Sequence, residues 1–381
     1  MKNLETLINE LCPEGVEFVK LVKYATVQYG YPFDSKLFSE DEKFIPLIRI
    51  RDVLPAKPST YYSGEYLKEY IVTKGDMLVG MDGNFNMEKW NDRDGLLNQR
   101  VCKIYTKDET ILLDGFLYHY LRPLFKKIEN SIQGSTVKHL SAKVINKIEI
   151  PLPPIEVQNE IVRILDKFTS LVAELEAELD CRKRQYEYYR DKLLSFENVG
   201  GQDVEWKKMS EVCEINRGKR VVKKELQESG DYPVFQNCLT PLGYYKDYNY
   251  PANTAFVISA GAAGNIGFCN KKFWAADDCL CLTCSDKIIS KFVYYVLMTK
   301  QKYILSRVRK ASIPRLSRTV IERLSVPIPP LSEQERIVSI LDRFESLTTS
   351  LTAGLPAEIA ARRQQYEHYR DELLTFKRKS A

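Results

Sequence analysis

Two stretches of the sequence decide the fold: PLPPIEVQNEIVRILDKF at residues 151–168 and PIPPLSEQERIVSILDRF at residues 327–344. They align without a gap at an offset of 176 residues, and the match extends back to Leu140 and Leu316. Self-similarity at a fixed offset is the signature of a repeated structural unit. The sequence therefore predicts two copies of one architecture within a single chain.

A second shared segment follows each stretch. Residues 185–194 resemble residues 365–374, but here the offset is 180 instead of 176, so the second copy holds four extra residues, or about one helical turn. Upstream, only a weak echo links residues 16–18 to residues 204–206, and the sequences in between have little in common. The predicted domains are two variable modules and two shared helical regions, at residues 1–150, 151–200, 201–326 and 327–381.

Each proline-rich joint should end the structure before it and lead into a helix. In the second copy Ser332 is predicted to cap this helix, with Glu335 completing a capping box. Gly354 and Pro356 predict a kink or a restart of the same helix. The apolar stripes have coiled-coil-like spacing. They run through Ile161, Ile164, Phe168, Leu171, Leu175, Leu179, Tyr186, Tyr189 and Leu193 in the first copy, and through Ile337, Ile340, Phe344, Leu347, Leu351, Leu355, Ile359, Tyr366, Tyr369 and Leu373 in the second.

Two interpretations of these stripes stay open. Taken alone, they fit core helices or a dimerising coiled coil. The repeat favours a spacer, in which the two helices pack antiparallel and about 40 helical residues span roughly 60 Å. The predicted fold class is therefore α+β, with two mixed α/β globular modules in a pseudo-two-fold repeat, separated by two long helices packed as an antiparallel coiled coil.

Composition sets only wide bounds on function. The chain has 381 residues, 44% of them hydrophobic, and its formal net charge of +5 is compatible with nucleic acid but also with many ordinary proteins. Residues 1–11 predict a short amphipathic helix instead of a signal peptide, and no apolar run approaches the length of a membrane span. The nine cysteines are odd in number and scattered, which favours a reducing cytoplasm over a disulfide scaffold.

The variable modules mix strand-like runs with turns that carry DNA-binding residue types. Residues 44–51 predict a strand with basic residues on one side, and residues 74–76 and 82–84 predict turns around a strand at 77–79. Arginine pairs well with guanine edges and asparagine or glutamine with adenine edges, whereas lysine mostly holds phosphates. The predicted DNA contacts are Arg49, Arg51, Asn84, Arg93, Gln99 and Arg100 in the first module, and Arg217, Lys219, Arg220, Lys223, Gln236, Asn237, Tyr244 and Lys246 in the second. For any single residue, a solvated surface loop is the competing interpretation.

Two other motifs resemble known sites but lack their defining features. The run SAGAAGNIG at residues 259–267 has the glycines of a phosphate-binding loop without its lysine, and it predicts tight turns between strands. Contact of its backbone amides with the DNA backbone is the less favoured alternative. Cys279, Cys281 and Cys284 have one zinc-like spacing, yet their run is strand-like and free cysteine packs well in cores, so no metal site is predicted. The sequence contains no recognisable nucleophile, helicase, nuclease or amino-methyltransferase motif, and no catalytic residue is predicted.

The repeated pattern resembles the specificity subunits of type I restriction-modification systems over nearly the whole chain. The matching pieces are the two proline-rich joints with the segments at 158–168 and 334–344, and the endings at 185–196 and 365–376. The opening CPEGVEF at residues 12–18 also resembles that family. A lone proline-proline joint would be a weak signal, but two copies in this order are specific.

The resemblance implies a non-catalytic DNA-recognition subunit. Each variable module would be a target recognition domain that reads one half of a split, asymmetric site in double-stranded DNA. The shared helices would set the gap between half-sites and dock two methyltransferase subunits, to which restriction/translocase subunits are added. No cofactor is expected on this chain, since S-adenosylmethionine, ATP and Mg would be bound by the partner subunits.

Two other functions stay open on the residues alone. One is a coiled-coil scaffold with two protein-binding heads, which would show no preference for a DNA sequence. The other is a fragment of a fused restriction-methylation enzyme, which would require the catalytic motifs that the sequence lacks.

Overall fold

A computed structural model of the protein describes residues 4–132, 138–196, 204–349 and 354–379. The contacts within it divide the chain into two compact units. Unit 1 comprises Met1–Glu174 together with Ala360–Ala381, and unit 2 comprises Leu175–Ile359. None of the helices in the described ranges combines the length and the apolar character that a membrane span requires.

Unit 1 begins with short strands and helices, which are followed by one long helix that belongs to this unit up to Glu174. Along the chain these are α1 (Leu4–Leu11), β1 (Phe18–Lys20), α2 (Leu21–Tyr24), β2 (Ala25–Tyr29), β3 (Phe38–Ser39), β4 (Ile45–Ile48), α3 (Ile50–Val53), β5 (Tyr61–Tyr62), β6 (Ile71–Val72), β7 (Met77–Gly80), β8 (Met87–Lys89), β9 (Gly95–Leu97), β10 (Val101–Thr106), α4 (Asp114–Ser131), α5 (Ala142–Ile145), β11 (Glu149–Pro151) and α6 (Ile155–Ser195). An antiparallel sheet has the order β2-β10-β7-β8, and a second, mixed sheet has the order β3-β5-β4-β9-β6. The strands β1 and β11 pair as a separate two-stranded ribbon.

The main core of unit 1 joins its antiparallel sheet to two helices. Cys102 and Ile104 of β10, Phe116 and Leu121 of α4, and Ile161 of α6 belong to one cluster of fully buried side chains. The period of two along the strand and the longer helical period bring these residues to one face of each element. The start of α6 is therefore part of this core.

Unit 2 repeats this plan. Its elements are β12 (Glu205–Lys208), α7 (Met209–Val212), β13 (Cys213–Arg217), β14 (Tyr232–Phe235), β15 (Gly243–Tyr245), β16 (Thr254–Ile258), β17 (Ile266–Cys269), β18 (Trp274–Ala275), β19 (Cys279–Cys284), α8 (Ser290–Thr299), α9 (Gln301–Ser306), α10 (Arg318–Glu322), β20 (Ser325–Ile328) and α11 (Leu331–Thr349). The last helix of the chain is α12 (Leu355–Leu373), which belongs to unit 1 from Ala360 onward. The antiparallel sheet β13-β19-β16-β17 has the same order as β2-β10-β7-β8, whereas the second sheet, β15-β14-β18, has three strands instead of five.

The predicted fold class is confirmed: both units are mixed α/β bodies, and a long helix follows the first. The weak echo at the start of each module also has a structural basis. Phe18 pairs with Pro151 in the ribbon of unit 1, and Trp206 pairs with Pro327 in the equivalent ribbon β12–β20 of unit 2. Packing of the two shared helices as an antiparallel coiled coil stays a prediction.

Two local predictions are wrong. The run 44–51 is not one strand, because β4 ends at Ile48 and the Asp52 carboxylate accepts a hydrogen bond from the Arg49 N–H (2.9 Å), which starts α3. The capping box at Ser332 does not form, since α11 begins one residue earlier. The Pro330 carbonyl already accepts the first N–H groups of that helix.

The predicted interruption of the second shared helix is confirmed. The helix α11 ends at Thr349 and α12 begins at Leu355, and Gly354 between them has a φ of +86°, which favours glycine. By contrast, α6 continues for 41 residues. The stripe position Leu351 and the predicted domain boundary at residues 200–201 lie outside the described residues.

Candidate nucleic-acid interface

A buried glutamine fastens the proline-rich joint of unit 1 to the loop before α4. The side chain of Gln158 accepts a hydrogen bond from the Leu113 N–H (2.9 Å) and donates to the carbonyls of Ile111 and Pro153 (both 2.8 Å). Gln158 has no exposed surface, so its amide satisfies backbone groups that water cannot reach. This contact fixes the start of α6 next to the end of the loop that precedes α4.

Unit 2 has the same contact. The side chain of Gln334 accepts from the Ile289 N–H (2.8 Å) and donates to the carbonyls of Lys287 (3.0 Å) and Pro329 (2.9 Å). All four residues lie 176 positions after their counterparts in unit 1. The repeat therefore extends to individual hydrogen bonds. We call this shared backbone arrangement around Gln158 and Gln334 the frame, and it supports the loops of each unit.

A polar cluster next to each joint has a different donor in the two units. Buried His119 donates from Nε2 to the Asp166 carboxylate at 2.7 Å, because an ionised carboxylate only accepts, and this hydrogen bond lowers the pKa of Asp166. The other ring nitrogen, Nδ1, lies 2.9 Å from the Tyr366 hydroxyl. In unit 2 the Tyr295 hydroxyl donates to Asp342 at 2.5 Å, and burial raises the pKa of Tyr295. Both clusters tie helices of the same unit together.

The glycine-rich run of unit 2 connects β16 to β17, as its sequence predicts. Gly261 and Gly264 have φ values of +81° and +89°. The Gly261 N–H donates to the Pro314 carbonyl (3.2 Å), and the Ala262 N–H donates to the Asn237 carbonyl (2.8 Å). This turn therefore brings the predicted contact Asn237 beside a second loop, which the sequence reasoning did not select.

That second loop is a basic hairpin, here defined as residues 307–318. The hairpin is closed by reciprocal backbone hydrogen bonds between Arg309 and Arg315 (2.9 and 3.2 Å). Its exposed cations are Arg307, Arg309, Lys310, Arg315 and Arg318. The charge run was the available signal, and a cluster of cations on one loop is the usual footprint of a phosphate-binding surface.

Unit 1 carries a smaller surface at the same place. The Gly83 N–H donates to the Lys138 carbonyl (2.8 Å), and Asp82 forms a backbone bridge with His139. The Asp82 carboxylate also lies 3.1 Å from the Arg100 guanidinium. The predicted turn at 82–84 is thus confirmed, and Lys138 and His139 are further surface residues that sequence reasoning missed.

Besides Arg100, two of the predicted contacts in unit 1 are engaged within the unit. The Arg51 guanidinium donates to the hydroxyls of Ser59 (2.8 Å) and Thr60 (2.7 Å). The Arg93 guanidinium donates to the carbonyl of Phe44 (3.0 Å). DNA would have to compete with these hydrogen bonds for the two arginines.

The other predicted contacts of unit 1 fall into two groups. Arg49 is half-buried, with its guanidinium 5.8 Å from the centre of the Phe38 ring. Asn84, Gln99 and Arg100 are exposed; Asn84 lies in the turn 82–84, and Arg100 pairs with Asp82 of that turn. The structure therefore brings Asn84 and Arg100 to the same turn, and the role of all six residues in DNA binding stays a prediction.

The predicted contacts of unit 2 are more accessible. Gly218 allows a close backbone approach, because a Cβ there would lie 2.1 Å from the Ala275 carbonyl oxygen. Gln236 and Asn237 lie beside the glycine turn, and Tyr244 lies in β15. In the part of the chain that the structure describes, no hydrogen bond or ion pair engages the exposed cations of Arg217, Lys219, Arg220, Lys223 and Lys246. Their role in DNA binding also stays a prediction.

The cysteine run forms the strand β19, as its pattern predicts. Cys279 and Cys281 are fully buried, and burial raises the pKa of Cys279 to about 12. The Cys279 thiol donates to the Phe235 carbonyl (3.3 Å). Among the described residues, no group of three or more His, Cys, Asp or Glu side chains is arranged to hold a metal ion.

Comparisons with known proteins agree on one family. The sequence profile of the type I restriction modification DNA specificity domain matches residues 13–180 and again residues 201–361. A type I restriction enzyme specificity subunit of Escherichia coli is 32% identical over 345 residues, covering 83% of this chain and 84% of the relative. A Haemophilus influenzae protein, provisionally named as such a subunit, is 30% identical over 355 residues, covering 83% and 88%.

A solved structure supports the same fold. The crystal structure of the S subunit of a type I restriction-modification system from M. genitalium superposes with a TM-score of 0.60 at 18% sequence identity. The superposition covers 94% of this chain and 95% of that one. At this identity the likeness concerns the arrangement of elements alone.

Proposed function

The chain belongs to the family of type I restriction-modification DNA specificity proteins, and we propose that it selects the DNA sequence on which a type I methyltransferase acts. In this proposal unit 1 reads one half-site of a bipartite, asymmetric site and unit 2 reads the other. The chain itself performs no catalysis. It acts on chromosomal DNA and therefore in the cytoplasm.

One observation carries the proposal: the two units share a frame but present different loops from it. The buried glutamine contacts of Gln158 and Gln334 are the same, whereas the surfaces beside them carry different side chains. A homodimer with two identical readers would fit a palindromic site. Two unlike readers in one chain fit two unlike half-sites.

The partners follow from the family. We expect two methyltransferase subunits to dock on the shared helices, with restriction/translocase subunits added to the complex. S-adenosylmethionine would be bound by the methyltransferase subunits, and ATP and Mg would be bound by partner subunits as well. The length of the shared helices would set the gap between half-sites, because a helix rises about 1.5 Å per residue.

Methylome sequencing of cells that express this chain with its methyltransferase subunits tests the proposal. We expect one bipartite adenine-methylation motif, and exchange of residues 1–150 for another module should change one half of it only. The second half serves as the internal control. A swap that altered both halves or neither would contradict the two-reader arrangement, and an absence of any sequence preference would favour a protein-binding scaffold.

A further inference from the structure

The turn 82–84 of unit 1 holds a three-residue polar cluster that the sequence does not reveal. Oδ2 of Asp82 lies 3.1 Å from the Arg100 guanidinium, and Oδ1 lies 2.5 Å from Nδ1 of His139. Because an ionised carboxylate only accepts, both partners donate to it. Each carboxylate oxygen thus has its own cationic or imidazole donor, which fixes the orientation of both side chains.

The cluster is exposed on one side and anchored on the other. The side chains of Arg100 and His139 are 56% and 46% exposed, whereas that of Asp82 is only 20% exposed. Backbone contacts also hold the three residues together. Asp82 and His139 form an antiparallel bridge, and the Arg100 carbonyl accepts a hydrogen bond from the Met81 N–H (2.9 Å). The two donors are therefore held at the surface by a mostly covered carboxylate.

Arg100 is strained as well as oriented. Its φ of +73° lies in the left-handed region, which a non-glycine residue rarely adopts. Such conformations persist where the surrounding structure imposes them, and they are frequent at functional sites. The strain is an observation independent of the hydrogen bonds, and it concerns the same residue.

Unit 2 has different side chains at the equivalent places. Ala260 forms the backbone bridge with Arg315, and the Asp278 carbonyl accepts from the Ser259 N–H (2.7 Å). Ala260, Arg315 and Asp278 thus replace Asp82, His139 and Arg100 in the same backbone frame. Positions that keep their frame and change their chemistry between two readers are those expected to distinguish the two half-sites.

We propose that Asp82 is a positioning residue that holds Arg100, with His139 on the same carboxylate, to read a guanine in the half-site of unit 1. The guanidinium fork matches the O6 and N7 acceptors of guanine in the major groove. A carboxylate at a DNA surface would otherwise repel phosphates, so its pairing with two donors is what makes it compatible with DNA. This inference rests on the proposed function, since it assigns one base to one reader.

The test uses the full chain in complex with its methyltransferase subunits. Once the methylome has given both half-sites, binding is measured on duplexes in which each base pair is substituted in turn. Asp82→Asn and Arg100→Lys should both lower discrimination at one guanine of the first half-site roughly tenfold or more, and leave the second half-site unchanged. Asp41→Asn is the matched control, because Asp41 is an exposed carboxylate paired with Lys43 (2.7 Å) elsewhere in unit 1.

The outcomes separate this inference from the proposed function. If the wild-type complex shows no sequence preference, the proposed function itself fails. If the wild type reads a bipartite site but Asp82→Asn and Arg100→Lys leave the base profile unchanged, or weaken all positions equally, only the inference is overturned. Should Asp82→Asn fail to fold, Arg100→Lys carries the test, because it keeps the charge and removes the planar fork.

Discussion

Unit 1 and unit 2 contact their shared helices in two ways, one unchanged and one altered. Gln158 and Gln334 make the same three hydrogen bonds to backbone groups at equivalent positions. Beside them, Asp166 accepts from a histidine, whereas Asp342 accepts from a tyrosine. The glutamine satisfies backbone groups that are present whatever the sequence, while the other cluster joins side chains that can change together. The hydrogen bonds are therefore the same in both units where the partner is a backbone group.

The outer parts of the two units diverge further. The antiparallel sheets have the same strand order, but the second sheet has five strands in unit 1 and three in unit 2. The loops differ in charge as well, since the basic hairpin 307–318 corresponds to a segment of unit 1 that carries Lys138 and His139. The two units thus differ in their second sheets and in their loops, as expected when one frame carries two different recognition surfaces.

Removal of the buried glutamine should have the largest effect, and the effect should be nearly equal in the two units. Gln158→Ala would leave the Leu113 N–H and two carbonyls without partners, and Gln334→Ala would do the same in unit 2. Each should lower the free energy of unfolding by about 2–5 kcal/mol, measured by urea denaturation. Asn159→Ala is the control, since its exposed amide donates only to its own helix (2.9 Å) and should cost under about 0.5 kcal/mol. A large loss in one unit and none in the other would break the comparison.

Neutralising the basic hairpin should have the next largest effect, confined to DNA binding. Conversion of Arg309, Lys310 and Arg315 to glutamine should weaken DNA binding about tenfold or more at moderate salt. It should also reduce the slope of log affinity against log salt by about 2–3, because each phosphate contact contributes about 0.9. Binding is measured by salt titration with a labelled duplex.

The matched control removes the same charge elsewhere in unit 2. Lys208, Lys287 and Arg323 are exposed; Lys208 lies in β12, Lys287 in the loop before α8, and Arg323 next to β20. Their conversion to glutamine should leave the salt slope nearly unchanged. Equal slopes for the two triple variants would show that the hairpin is no more than a solvated basic loop.

Acidification should have the smallest effect on the free energy of unfolding. It concerns the polar cluster in which the units differ, since the donor to the aspartate is His119 in unit 1 and Tyr295 in unit 2. The hydrogen bond from His119 lowers the pKa of Asp166 below its ordinary value of 3.8, so the stabilisation is fully present above pH 3.8 and is lost as the pH falls further. Asp166→Asn should therefore destabilise the protein by under about 1 kcal/mol at neutral pH, since the carboxylate is half exposed, and by less as the pH falls below 3.8.

A double-mutant cycle tests whether the hydrogen bond from His119 is the cause of the stabilisation by Asp166. In a His119→Phe background the donor is absent, so Asp166→Asn should have little further effect on the urea midpoint at any pH. An undiminished effect of Asp166→Asn in that background would mean that another group stabilises the carboxylate.

Several features could be predicted from residues close together in the sequence. The proline-rich joints, the turn at 82–84 and the break before Leu355 depend on proline and glycine, which restrict or free the backbone over a few residues. The end of the strand near Arg49 and the helix start at Leu331 differ from the prediction, because hydrogen bonds decide them: the Arg49 N–H donates to the Asp52 carboxylate, and the Pro330 carbonyl accepts the first N–H groups of α11.

The sequence by itself determined the repeat, its two offsets and the family, because self-similarity is a property of residue order. Only the tertiary structure decided which side chains share a surface. Asp82, Arg100 and His139 are far apart in the sequence and meet because pairing between distant segments sets their positions. The basic hairpin meets the glycine turn for the same reason. Such pairing depends on register across the sheet, and no local pattern of residues records it.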